Sequence, residues 1–249
     1  MRPMALLLAS LLLLTFAPAA LAGQDDDPSP DAGAGEPHGQ GVDGGFYVSG
    51  GKAVKFYDFS RLNHALAPAG VDPFTGANDD WNFELVFTAR EAGLFCLAGG
   101  FYDQQTGGSP VDAELRGFDI LVRWGPSIVD NRVVQIFPTM GIGYAAHTVE
   151  LDGRLGLLGW DNLPNNGTAK IDKQGMLLEA GLRVDIYSAY PKDAKAALLS
   201  VQSVSMGWQG LPVSSEWERG GNEIKEAPDD MIHALFLRLN LGLGVAIRQ

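Results

Sequence analysis

The chain has 249 residues, of which 46% are hydrophobic and 19% charged, with 32 glycines. That apolar content excludes a wholly disordered chain, and so much glycine suits strands and turns better than helices. A formal net charge of −12 argues against nucleic acid as a partner, because neutralising phosphates requires a basic face.

Residues 1–22 read as a secretory signal peptide. Arg2 supplies the positive start, Met4 to Phe16 the apolar stretch, and Ala20-Leu21-Ala22 a small-x-small cleavage site before Gly23. Residues 23–44 contain six acids and neither Lys nor Arg, among Pro and Gly. This composition predicts an acidic, disordered leader and puts the folded domain at residues 45–249. No later run reaches the ~20 apolar residues of a membrane helix, so any membrane residence must use strands. The single cysteine, Cys96, has no internal disulfide partner and reads as a small apolar strand residue.

Hydrophobic alternation with a period of two, the signature of strands, predicts eight of them near residues 46–54, 81–89, 94–102, 113–124, 132–149, 174–190, 197–209 and 231–248. The sixth is the clearest internal case. Met176, Leu178, Ala180, Leu182, Val184 and Ile186 share one phase, and Leu177, Glu179, Gly181, Arg183, Asp185 and Tyr187 share the other. In the last, Leu235, Leu237, Leu239, Leu241, Leu243, Val245 and Ile247 alternate with Phe236, Arg238, Asn240, Gly242, Gly244 and Ala246. The first connection holds a short helix pattern, with Ser60 as N-cap, Leu62, Ala65, Leu66 and Ala69 on one stripe and Gly70 as the stop. Its stripe is expected to pack on a barrel rim. Longer and shorter connections alternate, the longer ones all at one end, as in an outer-membrane barrel. The reading is therefore all-β: an antiparallel eight-stranded up-and-down transmembrane β-barrel with a short helix in its first long loop.

In lipid only helices and closed barrels can pair every backbone polar group. If the apolar phase faces outward, Leu178, Leu182, Val184, Ile186, Leu235, Leu237, Leu239, Leu241 and Leu243 face lipid. Glu84, Asp119, Arg123, Glu179, Arg183, Asp185 and Arg238 then point inward. Those four acids and three bases are expected to form an ion-paired plug, since side chains just fill an eight-stranded interior. Phe46, Tyr47, Phe56, Tyr57, Trp81, Phe101, Tyr102, Trp124, Tyr144, Tyr190 and Trp208 fall near strand ends and are expected to form interfacial girdles. Pro138, inside the fifth strand, calls for a bulge.

With these elements in place, the chain resembles the eight-stranded outer-membrane β-barrel proteins of Gram-negative bacteria that share the outer-membrane-protein-A-type architecture. The resemblance spans roughly residues 45 to 248. It rests on "FYVSGG", "DFSRLNHAL", "IFPTMGIGY", "GMLLEAGLRVDIY" and the closing "LRLNLGLG", which are barrel-building motifs without catalytic residues. Such families end in an aromatic residue, where this chain has Gln249. The resemblance implies residence in the outer membrane after export, with outer-membrane lipid and an extracellular or envelope partner of the long loops as contacts.

No catalytic, cofactor or metal residues emerge. His147, Thr148 and Glu150 offer a base, a hydroxyl and an acid, as a lipid-modifying barrel enzyme would need, but His147 and Glu150 are three apart on a strand and face opposite sides. His64 and His233 have no supporting partners in sequence. "GIGYAA" lies within a strand and not at a strand-to-helix turn, which excludes a nucleotide loop. The leading function is a non-enzymatic outer-membrane barrel with a structural or surface-interaction role. The alternatives are a soluble exported β-barrel that binds a small apolar ligand in a cavity lined by the Leu face, and a lipid-modifying outer-membrane enzyme.

Overall fold

The structure is a computed structural model and describes residues 44–89, 92–130, 133–161, 163–190, 196–225, 227–228 and 232–247. The signal peptide at 1–22, the leader apart from Gly44, and Gln249 lie outside the described residues.

Eight long strands account for most of the domain: β1 (Gly44–Tyr57), β2 (Ala77–Ala89), β3 (Gly93–Thr106), β4 (Val111–Gly125), β5 (Val134–Gly153), β6 (Gly167–Tyr190), β7 (Ala196–Ser214) and β8 (His233–Ile247). Each is antiparallel to the next, and β8 pairs with β1, so the sheet closes into an eight-stranded up-and-down barrel. The register sets the tilt. Paired residues lead from Phe46 through Phe87, Phe95, Trp124, Met140, Ala180, Trp208 and Leu235, and return to β1 at Phe56 instead of Phe46. A stagger of this kind inclines the strands by about 35–45° to the barrel axis.

Residues 58–76, 154–166 and 215–232 connect strands at one end, the loop end. The third connection there is shorter than expected: most of residues 103–112 belongs to β3 and β4, leaving residues 107–110 as a turn. The end of β2 meets the start of β3, that of β4 the start of β5 and that of β6 the start of β7 at the opposite, turn end.

The bulge expected at Pro138 is absent. Phe137, Pro138 and Thr139 pair in unbroken register with Arg183, Leu182 and Gly181. Ile136, in the same phase, directs its carbonyl toward the segment that follows β4, where it accepts a hydrogen bond from Ile128 N at 2.9 Å. Pro138 therefore turns its backbone toward the same side, where β4 has already ended at Gly125, and the missing N–H leaves no ladder acceptor unpaired. A register shift does occur between Met176 and Leu178, where β6 meets β7.

The first loop carries helix α1 (Ser60–Leu66), continued by a 3-10 turn over Ala67–Ala69 that ends at Gly70 with φ 75°. Ser60 lies inside the helix and is not its cap. Phe59 occupies the cap position without a side-chain cap bond, and Asp58, one residue before it, accepts the Ser60 N–H through Oδ1 at 3.0 Å. Leu62, Leu66 and Ala69 are buried against Tyr57, Tyr102, Val149, Leu151 and Ile171, so the stripe packs into the barrel mouth. Asn63 fastens the loop by donating to the Phe74 carbonyl at 3.0 Å and accepting its N–H at 2.8 Å.

Two predictions concern this cap. Leu66→Ala removes a fully buried side chain, and a loss of about 2–5 kcal/mol is expected, read as faster amide exchange across residues 60–75 with the strands still protected. Ser60's side-chain and backbone donors hold the Asp58 carboxyl below its usual range. That contribution is present above the ordinary carboxylate pKa and is lost as the pH falls through the depressed value. The same amides should therefore loosen on acidification in the native chain and show no such pH step in Asp58→Asn.

Candidate functional site

Each strand sends alternate side chains into a space too narrow for anything but side chains. In the turn-side half of the barrel that space holds charges. Glu84, Asp119, Arg123, Glu179, Arg183, Asp185 and Arg238 all point inward and are between 0% and 8% exposed. They come from β2, β4, β6 and β8, alternate strands whose inward side chains the stagger brings to neighbouring levels.

The charges form a continuous chain. Arg183 Nη1 donates to Glu84 Oε2 at 2.7 Å, and Arg123 Nη1 to Glu84 Oε1 at 2.5 Å. Arg123 Nε reaches Glu179 Oε1 at 2.5 Å, and Arg238 Nη2 reaches Glu179 Oε2 at 2.6 Å. Arg183 Nε donates to Asp185 Oδ1 at 2.7 Å, while the hydroxyls of Tyr47 and Tyr187 donate to Asp185 Oδ2 at 2.5 and 3.1 Å. Ser49, Ser203 and Gln209 bond to Glu84, Arg183 and Arg238 respectively. Asp119 is bound by Lys55, whose ammonium also lies 2.8 Å from Asp80. Charges taken this far from water are tolerated only when paired and hydrogen-bonded, and here the pairing extends across the barrel.

Lys55, Asp80 and Lys173 are buried charges that the sequence reading missed. The signal was available. Asn78, Asp80, Asn82 and Glu84 share one phase of β2, but the expected strand began at residue 81. Lys55 and Lys173 likewise fall one residue outside their expected strands. Lys173 pairs in register with His147 and lies 5.9 Å from the Trp217 ring.

The interior changes character toward the loop end. Above Asp119 on β4 come Leu115, Ala113 and Val111; above His147 on β5 come Val149 and Leu151; above Lys173 on β6 come Ile171 and Ala169. These join the α1 stripe, Trp160, Trp217 and Ile224 in an apolar core that closes the mouth.

The outer face changes in the opposite sense at about the same level. On β2 the outward series runs Phe87, Leu85, Phe83, Trp81 and then Asp79. On β3 it runs Phe95, Leu97, Gly99, Phe101 and then Asp103, and on β4 Trp124, Val122, Ile120, Phe118 and then Arg116, Glu114 and Asp112. On β5, Met140, Ile142 and Tyr144 give way, past Ala146, to Thr148, Glu150 and Asp152; on β6, Leu178 and Met176 give way to Gln174, Asp172 and Lys170. Turn-side of the boundary the barrel holds its ion-paired charges inside, interleaved with buried apolar side chains such as Val86, Leu94, Leu121, Phe137 and Leu199, and is apolar outside. Loop-side of it the interior loses the charges and the outer face gains them.

Leu235, Leu241 and Leu243 are 61%, 68% and 62% exposed on the outer face, and Leu182 is exposed with them. Leu178, Val184, Ile186, Leu237 and Leu239 share the outward phase but are half-buried by their neighbours. The aromatic set divides. Phe46, Phe56, Trp81, Phe101, Trp124, Tyr144 and Tyr190 are exposed, and Trp208 is half-buried on the same face. Tyr47, Tyr57 and Tyr102 point inward, so they are not girdle residues. They are the hydroxyl partners of interior polar groups: Tyr47 of Asp185, Tyr57 of Gln209 and Tyr102 of His147.

His147, Thr148 and Glu150 do not assemble. His147 is buried inside, its Nδ1 2.5 Å from Tyr102 Oη. Thr148 and Glu150 lie outside, where Thr148 donates to Asp172 at 2.6 Å and Glu150 pairs with Lys170 at 3.2 Å. Among the described residues no group of three or more His, Cys, Asp or Glu side chains is arranged to hold a metal ion.

Glu84→Gln should cost about 3–5 kcal/mol, because Arg123 and Arg183 would share a neutral partner inside the barrel. Glu150→Gln, which breaks an exposed pair, should stay within about 1 kcal/mol. Urea unfolding of the detergent-refolded protein measures both.

No family model matches the sequence, and neither does any curated protein. Among solved structures the chain is similar to Ail, the attachment invasion locus protein of Yersinia pestis, solved in complex with the heparin analogue sucrose octasulfate. The identity is 12%, with 81% of this chain and 99% of that one covered at a TM-score of 0.43. It is also similar to Neisserial surface protein A, at 10% identity over 82% and 97% with a TM-score of 0.32. A third similarity is to a major outer membrane protein from Thermus thermophilus, at 15% identity over 83% and 99% with a TM-score of 0.35.

Proposed function

We propose that this protein spans the outer membrane through the turn-side half of its barrel and displays the capped loop-side half at the surface. Its role on this reading is structural or one of surface interaction, not enzymatic or conductive. The observation that carries the reading is the double inversion of polarity at one level of the barrel. In water, burying apolar side chains and exposing polar ones stabilises a fold. In hydrocarbon the outer surface must be apolar, and charges are stable only when paired inside. One barrel with both patterns, stacked along the same strands, fits an object that stands in two solvents.

The outward aromatics support the same placement. Phe46, Phe87, Phe95, Trp124 and Tyr190 ring the turn side, and Trp81, Phe101, Phe118 and Tyr144 sit at the boundary, where amphipathic rings favour the headgroup zone. From Phe118 to Trp124 the strand advances about 20 Å at ~3.3 Å per residue, which the tilt reduces to about 15 Å along the barrel axis, a large part of the ~25 Å apolar belt of such barrels. The ion-pair chain below and the apolar cap above fill the lumen, which supports a barrel that does not conduct.

The soluble-carrier alternative required the Leu face of β8 to line a cavity, and that face points outward. The enzyme alternative required His147 beside Thr148 and Glu150, and the strand separates them.

Separating the host's inner membrane, outer membrane and periplasm tests the reading directly. Recovery in the outer membrane is expected, with faster gel migration before boiling than after; recovery in the soluble periplasm would overturn it. The boundary itself is testable by arginine placement. Leu241→Arg should hinder insertion into lipid vesicles by about 2–4 kcal/mol, whereas Thr148→Arg, above the boundary, should insert normally. Equal effects would show that the inversion does not mark a membrane edge.

A further inference from the structure

A groove of about 390 Å3 crosses the boundary on the outer face of β3, β4 and β5. Phe101 and Phe118, paired across β3 and β4 and both about half exposed, form its apolar part. Ala146, opposite Phe118 on β5, keeps it open. Immediately above the aromatic pair, Asp103 and Arg116 face each other across the same two strands. The groove therefore places one anion and one cation side by side over two aromatic rings.

Both groups keep unused hydrogen-bonding atoms, although Glu114, Glu150 and Asp103 all act on the Arg116 charge. Arg116 donates through Nε to Glu114 at 2.6 Å, which orients the guanidinium. Among the described residues its terminal nitrogens hold no hydrogen bond, and neither does the Asp103 carboxylate. Thr148, also at the rim, is already committed to Asp172. An isolated arginine would take any phosphate, and an isolated aspartate any amine. Fixed next to each other across one ladder, they match a head group that carries both.

Resting on the membrane reading above, we infer that this groove binds a lipid with a phosphoethanolamine head group. Arg116 takes the phosphate through its terminal nitrogens, the geometry in which guanidinium is strongest. Asp103 takes the primary ammonium, and the acyl chain descends between Phe101 and Phe118 along the apolar band. A trimethylated amine has no N–H to give Asp103, so a phosphocholine head keeps the phosphate contact and loses the other. Phosphoglycerol has no cation for Asp103 to meet.

The test is native mass spectrometry of the full chain, refolded into vesicles of equal parts phosphatidylethanolamine, phosphatidylcholine and phosphatidylglycerol, then released in mild detergent. Retention of phosphatidylethanolamine about tenfold above the other two is expected, the ratio that one charge-assisted hydrogen bond supplies. Asp103→Ala, which removes the acceptor, should bring ethanolamine and choline lipids to equal retention. Arg116→Gln should reduce all three, and Ala146→Phe, which fills the groove, should abolish retention. Each substitution is on the outer surface, so the heat-dependent gel shift should persist and report an intact barrel. Retention without head-group preference, or a preference that survives Asp103→Ala, would overturn the proposal while leaving the membrane reading standing. A chain that does not enter the vesicles at all would overturn both.

Discussion

The interior of a closed eight-stranded barrel is the constraint on which the rest of this molecule depends. Closure pairs the backbone of every strand, stagger tilts the strands, and half of all side chains are sent into a lumen with no room for solvent. Whatever enters must fill the space and neutralise itself. The chain Arg183–Glu84–Arg123–Glu179–Arg238 does both, because each carboxylate between two guanidiniums satisfies two cations, and each guanidinium fork reaches more than one strand. Such a network contributes less net stability than apolar packing of equal volume would. Its value lies in the outer face: with polarity confined to the lumen, the opposite phase of every strand is free to be continuously apolar.

The same strands change solvent part-way along. The backbone of β4, β5 and β6 runs through the transition in unbroken pairing of these strands with one another, and the register shift at Met176 on the β7 side is the irregularity at that level. The choice of side chain changes there, and it changes on both faces at once. Loop-side of the boundary the fold resembles an ordinary water-soluble barrel end, with α1 and the Trp160, Trp217 and Ile224 side chains completing an apolar core that the strands alone would leave open. Most of the described apolar residues of the long loops are covered at the barrel mouth, Leu157 being half exposed. It also gives the boundary itself a distinctive chemistry, in which aromatic rings and ionic side chains occur at adjacent levels of one ladder, as Phe101 and Asp103 do on β3.

Strand number, pairing order and the phase of each strand were readable from alternation, because a period of two assigns faces whatever the tertiary context, while the buried charges Lys55, Asp80 and Lys173 escaped it. The errors cluster where one polarity rule was applied to a strand that obeys two. Expecting apolar outward residues throughout ended β1 before Lys55, began β2 after Asp80 and began β6 after Lys173, since those positions lie near or beyond the boundary. Tyr47, Tyr57 and Tyr102 were grouped with the interfacial rings by their position near strand ends, although each falls on the inward phase. Pro138 suggested a bulge because a ladder was assumed on both sides, and the end of β4 beside it was not visible in the sequence.

Alternation thus determined which side chains share a face, since consecutive residues on a pleated strand must point opposite ways. It could not determine which inward residues meet. That Glu84 lies between Arg123 and Arg183, that Asp80 shares Lys55 with Asp119, and that Asp103 stands beside Arg116 follow from register and stagger, which fix the relative height of residues distant in the chain. Those heights are set by how the whole sheet closes, a property of all eight strands together and of no single segment.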